Sequence, residues 1–285
     1  MPSSIDYLIS TQNETGGWGY FPGQKSVVEP TAAVLLAISE EPKAVNPFNQ
    51  GMSWLLSSQH QDGGWGNNEQ DPGSGWHTAW AVIALKNTNQ SSDSIIRAVE
   101  WLTHVSTYQI TQDEFANSKI PMNYDVEALI WPWLPGQGVW IEPTALAVLA
   151  LEGIAQTELA TTRMGAAIEY FHKNRTPSGG WDVGNAGPLD TIVLPHAYQS
   201  ALVLMALARV AIQGIQTDDL SALRLDMQQD TSILSLSSGL VALKTLGEND
   251  QGINAYISDS QLENGSWNNN PFFTAWAIMA LRGRI

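Results

Sequence analysis

Six stretches of the chain read as helices that are apolar on nearly every side. They begin Thr31-Ala-Ala-Val-Leu-Leu, Thr78-Ala-Trp-Ala-Val-Ile, Thr144-Ala-Leu-Ala-Val-Leu, Ser200-Ala-Leu-Val-Leu-Met, Ser238-Gly-Leu-Val-Ala-Leu and Thr274-Ala-Trp-Ala-Ile-Met. Each is expected to open at its Thr or Ser, and a helix without a polar face is buried all round. Between them lie amphipathic stretches. Phe48, Met52, Leu55 and Leu56 share one helical face, as do Ile95, Val99 and Leu102, then Met164, Ile168 and Phe171, then Ile253 and Ile257. The pattern predicts outer helices near 3–11, 46–59, 93–106, 160–174, 217–229 and 249–261, each followed by one buried helix. No stretch reads as a strand, because Val, Ile and Thr fall inside helical patterns.

The buried starts are 47, 66, 56, 38 and 36 residues apart, a period that signals a repeat architecture. A second motif precedes them. Gln12-Asn-Glu-Thr-Gly-Gly-Trp18 matches Gln59-His-Gln-Asp-Gly-Gly-Trp65 and Gln261-Leu-Glu-Asn-Gly-Ser-Trp267, and Pro177-Ser-Gly-Gly-Trp181 is the same without its Gln. A degenerate copy ending at Trp131 is placed by register, since Trp18 to Thr31, Trp65 to Thr78 and Trp131 to Thr144 each span 13 residues. Gly is expected to end the outer helix in a left-handed conformation. Trp is expected to be buried with one partner for its indole N–H, and Gln to bridge free groups at helix ends. Six amphipathic helices around six buried ones describe an all-α, α6/α6 toroid, one domain over residues 1–285.

Composition narrows the chemistry. The chain of 285 residues has no Cys, which removes disulfides, thiolate metal sites and a thiol nucleophile. Its formal charge of −15 argues against nucleic acid or an anionic membrane surface as a partner. No apolar run approaches the roughly 20 residues of a membrane span. Met1-Pro-Ser-Ser-Ile-Asp-Tyr7 lacks the basic and apolar segments of a signal peptide. The expectation is a soluble, cytoplasmic protein with no cofactor and no metal.

Gln-x-x-x-Gly-Gly-Trp followed by Thr-Ala-Trp-Ala-Val-Ile-Ala-Leu resembles the QW repeats of squalene-hopene and oxidosqualene cyclases, the prenyltransferase/squalene-oxidase repeat group. The best copies are at 59–86 and 261–282. The resemblance implies the toroid and a central cavity for an apolar, isoprenoid-like substrate. The departures are specific. The Asp-x-Asp-Asp motif of class II cyclases, whose central Asp protonates an alkene or epoxide, is absent. So is the class I Asp-Asp-x-x-Asp box, and the zinc and thioester chemistries of related toroids need a Cys.

Val28-Glu29-Pro30-Thr31 and Ile141-Glu142-Pro143-Thr144 each put a carboxylate two residues before the Thr, the position the cyclase resemblance assigns to the acid. Glu29 and Glu142 are therefore the candidate catalytic acids. Helix N-termini favour the ionised form, so a lowered pKa is expected. A role only at the helix start is the alternative, because Pro and an acidic residue both suit a first turn. Asp190, in the long segment after Trp181, is a third candidate acid. Trp76, His77, Trp80, Trp140, His196, Tyr198, Phe272, Phe273 and Trp276 surround the other helix starts and are candidate substrate-binding walls, whose π faces would steady a cation. The alternative is that these rings only fill the core. Three functions remain open: a terpene-cyclase-like enzyme, the same toroid as a non-catalytic lipid-binding or protein-interaction module, or a specialised-metabolism enzyme of unrelated chemistry.

Overall fold

Why each repeat carries both a Trp and a Thr is answered by one set of hydrogen bonds. The computed structural model describes residues 3–89, 92–108, 129–184 and 194–283. In the first repeat the backbone N–H of Trp18 donates to Thr31 Oγ1 (2.9 Å), and that hydroxyl donates back to the Trp18 carbonyl (3.2 Å). Trp65 with Thr78, Trp131 with Thr144 and Trp181 with Ser200 repeat this two-way clasp. Trp267 donates to Thr274 in the last repeat (3.1 Å). The indole N–H of each Trp then donates to a last-turn carbonyl of an outer helix: Leu8, Leu55, Leu102, Phe171 and Ile257, at 2.6–2.8 Å. Such carbonyls have no partner within their own helix. One residue therefore ties an outer helix end to an inner helix start. The copy at Trp131, placed only by register, makes the same bonds.

The helices alternate as the pattern predicts. The outer ones are α1 (Ser4–Ser10), α3 (Val45–Ser57), α5 (Ser92–His104), α7 (Glu158–Lys173), α9 (Thr217–Gln229) and α11 (Gln251–Asp259). The inner ones are α2 (Val28–Ile38), α4 (His77–Asn87), α6 (Ile141–Leu151), α8 (Ala197–Val210), α10 (Ile233–Thr245) and α12 (Pro271–Arg282). The fold is all-helical, with no strand among the described residues. The inner helices pack in the order α2, α4, α6, α8, α10, α12, and α12 returns to α2. The ring is closed, and the outer helices lie around it as an α6/α6 toroid.

Cations stitch one end of this ring. Lys86 of α4 donates to the carbonyls of Leu149 and Glu152 at the end of α6 (2.7 and 2.9 Å). Lys244 of α10 does the same for Ala280 and Leu281 of α12 (2.8 and 3.2 Å). Arg282 closes the circle by donating to the Ala37 carbonyl (3.0 Å) and pairing with Glu41. A positive charge at a helix C-terminus complements both the free carbonyls and the helix dipole.

Two expectations are corrected. The inner helices do not open at Thr or Ser. α2, α6, α8 and α12 begin three residues earlier, α4 one and α10 five. In the five repeats with a Trp, the hydroxyl that would cap its own helix is engaged by the Trp instead, and in α10 the Ser238 hydroxyl donates to the Ser235 carbonyl (3.1 Å). Nor does the motif Gly end the outer helix. Gly16 (φ 102°) and Gly63 (φ 93°) lie in turns beyond it, where a Cβ would stand 2.6 Å from the carbonyl oxygens of Gln50 and Arg97 on the next outer helices. Positive φ and close approach together require Gly there. The Gln expectation holds: Gln12 Nε2 bridges the carbonyls of Gly16 (2.6 Å) and Pro47 (2.7 Å).

Thr78→Val should leave the Trp65 N–H buried without a partner at nearly constant volume, while the Trp65 carbonyl still accepts from the Gly75 N–H (2.9 Å). The expected loss is about 1–3 kcal/mol, read from the midpoint of chemical denaturation, with Thr78→Ser losing less. Equal stability of Thr78→Val and the parent would remove the clasp as a stabilising element.

Candidate active site

The clasp sets the height of each inner helix relative to its repeat. The residue two before the clasping Thr or Ser is Glu29, Trp76, Glu142, Tyr198 and Phe272 in turn. One turn further along α4 and α12 stand Trp80 and Trp276. Positions four apart share a helix face, and in a ring of parallel helices that face converges.

The convergence is visible in ring geometry. Phe272 meets Tyr20 (5.9 Å between centroids), Trp80 (5.9 Å) and Trp276 (6.4 Å), all edge to face. Trp276 also meets Trp80 (6.0 Å) and Tyr198 (6.2 Å). Phe273 tilts against Phe272 (6.2 Å). Glu29, 6 % exposed, accepts a hydrogen bond from the Tyr20 hydroxyl. Glu142 and Tyr198 are half-buried, and Gln199 Nε2 lies 3.5 Å from Glu142 Oε2. Below them Trp80 and Trp276 are fully buried.

Both carboxyls are pushed towards protonation. Burial raises Glu29 to about 7, against which the Tyr20 hydroxyl and the Trp80 indole favour its anion. Burial also raises Glu142 to about 8, and the charge of Glu29 adds to it. Tyr198 and Gln199 act the other way on Glu142. Neither the Trp80 N–H nor the Tyr198 hydroxyl reaches a hydrogen bond of ordinary geometry. These shifts overturn the expectation of a pKa lowered by the helix N-terminus. The first amide of α2, that of Val28, donates to the Asn67 carbonyl (2.9 Å), and that of Ile141 on α6 to the Val183 carbonyl (3.3 Å). Each loop after a Trp thus caps the preceding inner helix, and the carboxylates gain no backbone donor. Burial, and for Glu142 also the charge of Glu29, then outweighs the dipole.

The other candidates separate. Trp76 starts α4 away from the acid pair, stacked on His77 (4.4 Å) and edge to face with Trp133 (4.9 Å). Burial lowers His77 to about 4, against an opposing pull from Asp71, so the imidazole is neutral at physiological pH. Trp140 is the half-buried residue preceding α6 and donates its backbone N–H to the Trp131 carbonyl (3.3 Å). His196 is exposed at the start of α8, where its charge acts on Asp226 of α9 rather than on the acid pair. Asp190 lies outside the described residues. Among the described residues no cluster of His, Asp and Glu could hold a metal ion.

Sequence reasoning missed Tyr20. Its position carries the available signal: it is the second residue after Trp18, as Asn67, Trp133 and Val183 follow their Trp residues. Those loops reach back over the preceding inner helix. In the first repeat the preceding inner helix is α12, and Tyr20 accordingly meets Phe272 across the ring closure.

The profile of the squalene-hopene cyclase C-terminal domain matches residues 1–124. No curated protein matches the chain. Among solved structures, a protein from Actinoplanes superimposes with a TM-score of 0.64 at 17% identity, covering 98% of this chain and 97% of the other. The type II terpene cyclase MstE from Scytonema, in complex with geranylgeranyl dihydroxybenzoate as substrate, gives 0.60 at 16% identity over 98% and 94%. An alpha-amylase from Clostridium perfringens gives 0.62 at 12% identity over 99% and 96%. At such identities the likeness establishes the toroid, which serves more than one reaction. The chain is similar to the squalene-hopene cyclase C-terminal domain over residues 1–124, and across the described ring it shares the toroid fold of these structures.

Proposed function

We propose that the protein is a terpene-cyclase-like enzyme that protonates an isoprenoid alkene at the acid pair. The observation that carries this reading is a buried Glu29 and a half-buried Glu142 beside the cluster of Tyr20, Trp80, Tyr198, Phe272 and Trp276, both raised towards protonation. A carboxyl raised by burial and by the charge of a second one keeps its proton at pH 7. Glu142 holds it the more firmly, while the anion of Glu29 is received by Tyr20. In the proposed step the Glu142 O–H bond breaks as a C–H bond forms on the alkene, leaving a carboxylate and a carbocation. A second alkene of the same chain attacks the cation and closes a ring. Loss of a proton from the last cation ends the sequence. The Glu29 carboxylate and the aromatic faces favour the cation, each face by roughly 0.5–2 kcal/mol. The geranylgeranyl chain bound by the Scytonema cyclase supports a substrate of this class, and the cytoplasm is its expected setting.

Incubation with squalene, its epoxide and geranylgeranyl dihydroxybenzoate should yield a cyclic product by gas or liquid chromatography with mass detection. Glu142→Gln should reduce turnover by about 100-fold or more. Activity of the parent should fall as pH rises through about 8, where Glu142 loses its proton. Glu29→Gln removes a like charge beside Glu142, so the surviving activity should decline at lower pH than in the parent. Full turnover in Glu142→Gln would eliminate it as the acid.

The acid pair also has a folding signature. Both carboxyls bind protons more tightly folded than unfolded, so their contribution is greatest below about pH 4.5, the unfolded value. It declines as pH rises through about 7 and 8. Glu142→Gln should therefore stabilise the protein at pH 8 relative to the parent, by about 1 kcal/mol or more, and less at pH 5. Thermal unfolding at the two pH values checks this, and an equal effect at both would contradict a raised Glu142.

A further inference from the structure

Five of the outer helices carry an aromatic ring immediately before the residue whose carbonyl receives an indole N–H: Tyr7, Trp54, Trp101, Tyr170 and Tyr256. The remaining outer helix, α9, is placed in register by its contact with a motif Gly. Gly16, Gly63 and Gly179 close on the carbonyls of Gln50, Arg97 and Asp218. Four residues beyond these, on α3, α5 and α9, stand Trp54, Trp101 and Ala222. On α9 a methyl group therefore occupies the position of a ring.

In the sister grooves the chain supplies the ring itself. Trp54 lies so close over Gly17 that a Cβ there would stand 2.9 Å from its Cδ2. Trp101 donates its indole N–H to Asp62 Oδ2 (3.0 Å). Beside α9, a cavity of about 240 Å³ opens between Ser178, Leu194, Pro195, Ala222, Leu225 and Asp226. Leu194 and Leu225 are 65 % and 57 % exposed. Ser178 directly precedes Gly179 as Asp62 precedes Gly63, so an oxygen stands at the position where Trp101 finds its acceptor. Its hydroxyl meets Thr176 Oγ1 (3.1 Å) and keeps a lone pair for a further donor.

Asp226 gives the groove its charge. The residue is half-buried. Burial raises its carboxyl, Asp230 adds like charge, and the Ala197 amide and His196 act the other way. The neighbouring arginines are engaged elsewhere: Arg175 with Asp219 (2.8 Å), and Arg224 with Glu248 (3.0 Å) and Asp250 (3.3 Å). A carboxylate on an apolar groove, in a chain of formal charge −15, draws a cation.

We propose that this groove binds a small arylalkylammonium ligand, an indole or similar ring joined to a cation by a short arm. The ring lies on Ala222 and Pro195, its N–H donates to Ser178, and the cation meets Asp226. A cavity of about 240 Å³ is smaller than the roughly 300–1,000 Å³ of drug-sized sites and suits one ring with its arm. The groove shares no residue with the acid pair, and the proposal does not depend on the cyclase reading.

The test is a ligand-observed NMR titration of the full chain at pH 7 with tryptamine, 3-methylindole and indole-3-acetate. Tryptamine should bind about tenfold more tightly than 3-methylindole, the difference a charged hydrogen bond makes, and indole-3-acetate should bind most weakly. Asp226→Asn keeps an acceptor for the Ala197 amide. It should bring tryptamine to the level of 3-methylindole and leave 3-methylindole unchanged, which also shows that the variant is folded. Ala222→Trp builds the sister repeats' own residue into the groove. It should abolish binding of both while circular dichroism and the thermal midpoint stay at the parent's values. Should Ala222→Trp fail to fold, Asp226→Asn decides. Tryptamine binding that survives in a folded Ala222→Trp, or that is unchanged in Asp226→Asn, overturns the proposal. So does 3-methylindole or indole-3-acetate binding as tightly as tryptamine, or binding of no probe.

Discussion

The clasp between a Trp backbone and the hydroxyl of an inner helix is the constraint on which the molecule depends. It joins three things that would otherwise vary independently: the end of an outer helix, the start of an inner one, and the turn between them. Because the same bonds recur at Trp18, Trp65, Trp131, Trp181 and Trp267, five inner helices are pinned relative to their repeats in one way. A residue two positions before the hydroxyl then arrives at the same level of the ring in each. The charge of Glu29 acts on Glu142, 113 residues away in the chain, for that reason. The fifth repeat, joining α9 to α10 by three residues, has no Trp. It supplies the inner helix that starts furthest ahead of its Ser.

The repeat made the fold readable in advance. Period, amphipathic faces and the spacing of 13 residues each report backbone geometry that recurs, so the helix order and the ring were legible from the chain alone. Helix starts were legible only to within a turn. A Thr before an apolar run looks like a cap, and nothing local reveals that its hydroxyl answers a Trp 13 residues earlier. The carboxyl candidates were legible as positions but not in their protonation. A dipole argument sees only the helix that carries the Glu. The amides of Val28 and Ile141 are taken by carbonyls from the following repeat, which a single helix cannot show. Tyr20 escaped for a related reason, since its partner Phe272 comes from the opposite end of the chain. Trp76, Trp140 and His196 were candidates by equivalence of position, and equivalence fails where a side chain finds a nearer partner, as Trp76 does in Trp133.

In class II cyclases, by the resemblance read from the repeats, carboxyls next to one another in sequence help hold the proton. Here Pro30 and Pro143 occupy the neighbouring positions, and the second carboxyl comes from another helix. Local adjacency is replaced by adjacency across the ring. A pair built this way depends on the packing of α2 and α6 against α4, because slippage of either helix alters the repulsion that raises Glu142. It also explains why Tyr20, carried on the loop that spans the closure, donates to Glu29 and not to Glu142.

The two ends of the ring divide charge in a way that serves such a site. Lys86, Lys244 and Arg282 sit at the C-terminal ends of inner helices, where free carbonyls receive them. At the N-terminal end the amides of Val28 and Ile141 are met by backbone carbonyls of neighbouring loops, and those of Ser235 and Phe273 by the neutral side chains of Ser232 and Asn270, which satisfy the hydrogen bonds without adding charge. A capping Asp or Glu at each start would crowd the mouth with anions, and a Lys or Arg there would pair with Glu29 or Glu142 and fix it in its ionised form. With neutral caps at one end and cationic caps at the other, the protonation of Glu29 and Glu142 is set by burial, by the charge of Glu29 on Glu142, and by neutral donors, Tyr20 and Trp80 on the one and Tyr198 and Gln199 on the other.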